Sequence, residues 1–319
     1  MTNWTILNRM SSDKAGIILA LIATLCYSLK PIFIKLIYQH DVSSLNVLVW
    51  RMIISLPIYL LIGFYLWKRS RKRRANNQDS ASPAKGWVWK TVAIGIMGYY
   101  LAALLDLLGL QYITSQFARL ILFTYPTLVA LLGWIFFREK LSRSVLYALV
   151  FSYIGLTFIF ITDFKSFGDQ VVYGSILMFL SVLFFSLYVL LSKKLIDQVG
   201  GSTFTVVAMI ASSVCIAIHL FITSNSISDM ELSLIQFQLV AMMTILTTVI
   251  PSFLIAEAIA LIGPQKSSIA GTFGPVATSS FAVFMLGETF GFSHLIGLIL
   301  VVLAIYVMQK DSLERKSKT

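Results

Sequence analysis

Charge is scarce in this chain. Asp, Glu, Lys and Arg make up 12% of its 319 residues, about half the roughly 25% of an average soluble domain. Acid is scarcer than base, with 14 Asp and Glu against 25 Lys and Arg, and there are only 3 His and 2 Cys. Two isolated cysteines, Cys26 and Cys215, each in an apolar run, build neither a disulfide framework nor a cysteine-based zinc site. The sequence has no HExxH, no GxSxG and no GKS or GKT loop, so the zinc-protease, hydrolase and phosphate-binding chemistries those motifs carry find no footing. SFGD at Ser166–Asp169 lacks the first glycine of the GxGD of membrane aspartyl proteases and falls between apolar runs. The sequence points away from an enzyme, and no cofactor or metal is expected.

What the chain has instead is apolar length. Hydrophobic residues make up 58% of it and mean hydropathy is +0.85. A bilayer core of about 30 Å needs about 20 apolar residues per helix. Ten runs meet that need: Ala15–Ile37, Leu45–Trp67, Thr91–Leu110, Ser115–Phe137, Val145–Thr162, Val171–Leu191, Phe204–Ile222, Leu239–Ile262, Ser267–Leu286 and Phe292–Met308. The first is too long for a signal-peptide core, holds Lys30, Pro31 and Lys35, and lacks a following A-x-A site; it reads as a retained helix. Lys68–Gly86 is basic, then rich in serine, and reads as a mobile loop.

Charge placement sets the orientation. With ten spans both termini share a side. If that side is the cytoplasm, Lys165 is the one cation in the outer connections, Lys30, Lys35, Arg51 and Arg119 lie within spans, and the other 20 of the 25 Lys and Arg face inward. This bias is the positive-inside pattern. The excess positive charge is thus accounted for by topology, and no nucleic-acid partner is expected. The expected location is the inner (plasma) membrane, multi-pass, with both termini cytoplasmic and lipid as the surroundings.

The chain also resembles itself. FTYPTLVALLGWIFFREKLS matches TFGPVATSSFAVFMLGETFG at a spacing of 149, pairing Pro126 with Pro275 and Glu139 with Glu288. LCYSLKPIFIK matches LFFSLYVLLSK at a spacing of 158, pairing Ser28 with Ser186 and Lys35 with Lys193. Each half then holds five helices, and an odd number inverts the second half. The basic FREKLSR after the fourth run is matched by GETFGFSH, which has no Lys or Arg, as inversion requires. The expected fold is an all-α integral membrane protein with ten transmembrane helices in two inverted five-helix repeats. Its segments are residues 1–14, a cytoplasmic N-terminus; 15–163, the first repeat, with the basic loop at 68–86; 170–308, the second repeat; and 309–319, a cytoplasmic tail. Inverted repeats are a device for alternating access around a site near the midplane.

These residues resemble the drug/metabolite transporter superfamily, and within it the EamA-type ten-helix bacterial permeases. The resemblance is carried by S-x-x-P-x-F-I-K from Ser28 to Lys35, by Arg51, and by the proline followed thirteen residues later by glutamate in both halves. Gly98–Thr127 is similar to one branch of that family, in which the residue before the arginine is acidic; here it is Ala118. The resemblance implies a permease for a small organic metabolite and makes the first helix a cavity wall.

Charged residues inside spans are costly and call for a partner, water or a task. Lys30, Arg51, Asp106 and Arg119 all fall in the outer part of the first half. One reading pairs Asp106 with Arg119 across the helix 3–4 hairpin as a structural ion pair. The other has Lys30 or the arginines hold an anionic group in a watery cavity, since a guanidinium matches carboxylate or phosphate with two parallel hydrogen bonds. The expected contacts of an anionic or zwitterionic, amino-acid-like solute are Lys30 and Arg51, with Glu257 taking an amine or a proton and Tyr27 and Tyr100 as aromatic wall. Protons are the candidate coupling ion. Lys35 reads as snorkelling, Glu288 as a helix-end feature and His219 as interfacial. Pro31, Pro57, Pro126, Pro251 and Pro275 are expected to kink their spans. The alternatives are an exporter of amphipathic or cationic compounds and, more remotely, a receptor or scaffold.

Overall fold

The computed structural model describes residues 3–75, 86–138, 141, 143–223, 231–251, 254–255, 257–258, 261–262 and 270–317. Among them there is no strand. Among the described residues seven helices are long and apolar enough to cross a membrane: α1 (Lys14–Tyr38), α2 (Ser44–Tyr65), α3 (Trp87–Gly109), α4 (Ser115–Phe137), α5 (Arg143–Phe167), α6 (Gln170–Val199) and α7 (Thr203–Thr223). Three shorter apolar helices complete the ten: α8 (Leu234–Val249), α9 (Gly274–Leu286) and α10 (Phe292–Met308). The face holding both termini is the terminal face below, and the opposite one the far face.

Several helices outrun their apolar cores. The helix containing α2 runs from Ser44 to Ala75, so the basic stretch from Lys68 is helical, not a loop, as far as Ala75. Lys and Arg are good helix formers, and no Gly or Pro intervenes there. The rest of that expected loop, residues 76–85, lies outside the described residues. The helices of α1 and α10 likewise extend from Asn3 and to Ser317.

Proline governs the interruptions. α1 breaks at Leu29, just before Lys30–Pro31. α4 breaks at Phe123–Thr124, before Tyr125–Pro126. α9 starts at Gly274–Pro275 after a turn at Thr272–Phe273. A proline has no N–H to give the preceding turn and its ring crowds that turn's carbonyl. Local hydroxyls take up the slack: Thr124 Oγ1 donates to the Ile121 carbonyl at 2.7 Å and Thr127 Oγ1 to the Thr124 carbonyl at 2.6 Å. At Pro57 the helix runs on without a break.

The two halves repeat these irregularities. α3 carries a π-helical segment at Ile96–Leu101 and α8 one at Ile245–Val249, again 149 residues apart. α4 ends in a left-handed residue, Arg138 (φ 55), and α9 in Gly287 (φ 66), at the same spacing. Only the second is a glycine, the residue that takes that conformation without a Cβ clash. The packing is exchanged between halves as well. Ser28 Oγ of α1 donates to the Gly274 carbonyl of α9 at 3.1 Å, and Ser186 Oγ of α6 donates to the Tyr125 carbonyl of α4 at 3.4 Å. Ser186 is the counterpart of Ser28, and Gly274 of Tyr125. One crossing is thus made twice with the repeats swapped.

α5 and α10 pack along each other at the seam. A Cβ on Gly155 would sit 2.9 Å from the Gly297 carbonyl oxygen, and one on Gly297 2.7 Å from that of Gly155. Any larger residue at either position would force the helices apart. Large apolar side chains cover the outside, with Phe221 89% and Phe284 86% exposed, as suits a surface solvated by acyl chains.

Candidate functional site

The break in α1 puts a cation at its edge. Lys30 opens the second half of that helix, eight residues from its far-face end at Tyr38, or about 12 Å at 1.5 Å per residue. Its Nζ lies 2.6 Å from Asp106 Oδ2 on α3, with 25% of the lysine side chain and 10% of the aspartate side chain exposed. Asp106 sits a little over one turn past the π-helical segment. A charge-assisted contact of this length is among the stronger hydrogen bonds a protein makes.

Two arginines adjoin this pair. Arg51 of α2 is buried, 8% exposed, and Arg119 of α4 is half-buried. Asp106 is the carboxylate whose charge acts on both. Arg119 holds its guanidinium over the Phe123 ring, 4.8 Å from the centroid, while its Nε is buried without a hydrogen-bond partner. Gly274 makes room for it, because a Cβ there would lie 3.0 Å from Nη2. Three cations therefore share one carboxylate, close to where two of the interrupted helices meet.

This arrangement corrects the expected Asp106–Arg119 ion pair. Asp106 pairs with Lys30, and no ion pair within 4 Å joins it to Arg119 among the described residues. The hairpin brings Asp106 and Arg119 into the same layer, but the second half of α1 places the Lys30 ammonium in direct contact with the carboxylate.

Tyrosines line the terminal side of this layer. Tyr27 lies near Arg119, Tyr59 and Tyr99. Tyr99 and Tyr188 touch edge to face at 5.1 Å, their hydroxyls 2.9 Å apart. Tyr125 meets Phe185 at 5.4 Å. Tyr100, the next residue on α3, points elsewhere: its hydroxyl lies 2.7 Å from His219 Nδ1 on α7. The structure thus gathers Lys30, Arg51 and Tyr27 and separates Tyr100 from them. Glu257 is exposed. Pro126 and Pro275 stand at the breaks already described, and Glu139 lies outside the described residues.

Glu288 has a more specific place than a helix end. It reaches across the repeat boundary and accepts from the backbone N–H groups of Ser115 (2.8 Å) and Gln116 (3.3 Å), at the start of α4. Those donors have no partner within the helix, and a carboxylate suits the positive end of the helix dipole. Beside it lies a buried network that sequence reasoning missed. Asp163 Oδ2 accepts from Thr114 Oγ1 at 2.8 Å, and its Oδ1 lies 3.3 Å from His294 Nε2. The one sequence signal was an acid just past the fifth apolar run with no cation beside it in the chain until Lys165.

The sequence profile of the EamA-like transporter family matches residues 14–161 and again residues 172–309. An uncharacterized transporter of Bacillus subtilis (strain 168), YcbK, is 29% identical over 296 residues, covering 91% of each chain. An uncharacterized transporter of Vibrio cholerae serotype O1 is 26% identical over 309 residues, covering 94% of each. A crystal structure 15% identical in sequence superposes with a TM-score of 0.55 over 92% of this chain and 96% of its own, which supports the fold alone. Ten apolar helices, irregularities repeated at one spacing and a family profile that matches twice lead to one conclusion: this chain is a multi-pass membrane transporter and belongs to the EamA-like transporter family.

Proposed function

We propose that the protein is a secondary transporter that moves a small organic solute with an anionic or zwitterionic group across the plasma membrane by alternating access. The observation that carries this reading is the Lys30–Asp106 pair at the break of α1, one quarter and one tenth exposed, whose carboxylate also acts on Arg51 and Arg119. A net positive site within the membrane favours an anion. Lys30 and Arg51 are the proposed contacts, and the unpartnered Nε of Arg119 makes it a third donor. Tyr27 forms part of the wall. Glu257 of the second repeat would meet an amine or a proton.

The charge bias supports a cytoplasmic terminal face, so both termini and the 68–86 segment lie inside and the far face outside. An impermeant thiol reagent on intact cells should fail to label a cysteine at Ser80 and should label one at Ser228. The opposite pattern would reverse the orientation.

The solute is found by comparing metabolites of cells with and without the protein, then by uptake into proteoliposomes. Lys30→Met and Arg51→Gln should each raise the half-saturation concentration roughly tenfold to a hundredfold, as loss of one charge-assisted hydrogen bond does. The amount of folded protein should hold in Arg51→Gln and fall in Lys30→Met, which leaves Asp106 without its ion-pair partner, so affinity is measured on the folded fraction. A purely cationic or uncharged solute with unchanged affinity in both variants would overturn the anion site.

A further inference from the structure

The buried network at the far face has a proton to place. Asp163 and His294 are 2% and 3% exposed. The Gly291 backbone N–H can only donate, and it meets His294 Nδ1 at 3.3 Å. Nδ1 is therefore the acceptor, Nε2 carries the hydrogen, and Nε2–H donates to Asp163 Oδ1. His294 is neutral in this arrangement. It takes the part that Glu or Gln plays at the third position of a capping box, reaching back to the backbone N–H just before the helix. Here that N–H belongs to the last residue of the loop after α9.

The same short loop carries the clasp. Glu288 and Thr289 are within three residues of Gly291. Glu288 holds the N–H groups of Ser115 and Gln116, and Gln116 Nε2 donates to the Thr289 carbonyl at 3.2 Å. Thr114 joins the two sets, donating to Asp163 while accepting from the Phe117 N–H. The clasp therefore ties the second repeat to the half-helix that bears Arg119. The charged groups around His294 are Asp163 from α5, Glu288 from its own loop, and Lys35 from α1, which acts on both carboxylates.

We propose that His294 is a proton-binding site that releases this clasp. A proton taken from solvent at Nδ1 sets an N–H against the Gly291 N–H. The loop loses its anchor, Glu288 leaves the start of α4, and the far face opens. By linkage, a proton that binds the open form better shifts the population toward it as pH falls. The role of the clasp rests on alternating access, but not on the charge of the solute.

The test reads geometry, not transport. Spin labels are placed at the exposed Gln111 and Phe292, with Cys26 and Cys215 replaced by serine, in protein held in lipid nanodiscs. Between about pH 8 and about pH 5, the range in which histidine titrates, the separation should lengthen. His294→Gln should keep the short separation throughout. His294→Phe, which cannot accept from the Gly291 N–H, should hold the long separation at both pH values. A wild-type separation that ignores pH, or a His294→Gln protein that still opens, overturns the proposal. If His294→Gln does not fold, a His294→Phe protein that keeps the short separation does so. None of these outcomes bears on the anion site, whose failure would show only in solute affinity.

Discussion

α1 and α6 are counterparts in the two repeats, and they part company at one turn. α1 breaks at Leu29, while α6 is helical without interruption for 30 residues from Gln170 to Val199. At the spacing of 158, Ser28 meets Ser186 and Lys35 meets Lys193, but Lys30 meets Tyr188 and Pro31 meets Val189. The serine common to both makes the same crossing in each half. The residues that differ make the chemistry: Lys30 pairs with Asp106, whereas Tyr188 bonds Tyr99. The position matched to Asp106 is Ile255. The scaffold is built twice and the charged layer once. The second repeat supplies wall and clasp where the first supplies the ion pair.

The comparison can be broken most severely at the ion pair. Asp106→Asn leaves Lys30 beside two arginines with no acid. Breaking a buried pair costs about 3–5 kcal/mol, and the low end applies because Lys30 keeps a quarter of its side chain exposed. Folded yield and thermal midpoint should fall, and adding Lys30→Met should restore much of both. If Arg119→Gln restores more than Lys30→Met, the pairing seen here is wrong.

A smaller effect is expected at the clasp, which the first repeat receives from the second. Glu288→Ala removes the acceptor of two backbone N–H groups at the start of α4 and should cost about 1 kcal/mol, the usual worth of such a cap. Hydrogen exchange at Ser115 and Gln116 should quicken while that of α6 stays unchanged. Equal acceleration in both would show that the loss is global.

The smallest effect sharpens the comparison directly. Pro31→Ala makes α1 more like α6. Because Pro31 sits in the first turn of its half-helix, where an N–H has no partner anyway, stability should change by less than about 1 kcal/mol. Exchange protection near Leu29 should rise and turnover should drop. Unchanged turnover with a mended helix would mean the break has no part in transport.

Composition and spacing reach far into this fold. The ten runs, the inverted repeat and most of the breaks follow from bilayer thickness, an odd helix count and proline chemistry. Pro57 differs from the prolines at those breaks in lying inside a helix that runs on without a break. The site was half legible. That Lys30, Arg51, Asp106 and Arg119 share a layer follows from counting residues along each span. Which cation Asp106 takes depends on which side chain from another helix reaches it, and no periodicity encodes that. Glu288 and Ser115 are 173 residues apart. The sequence marked the glutamate twice through its proline spacing but gave no sign of its partner. Asp163 and His294 lay at the ends of apolar runs, where polar residues are ordinary.

The contact of Gly155 with Gly297 has a mechanical consequence. Gly155 stands twelve residues from either end of the helix Arg143–Phe167, so each arm of that helix is about 18 Å long at 1.5 Å per residue. A fulcrum at the middle of a lever moves both tips by equal amounts in opposite senses. With arms of that length, a tilt of about 10° carries each tip about 3 Å. In the alternating access proposed above, a pivot at this glycine pair would make the widening of one face and the narrowing of the other a single motion.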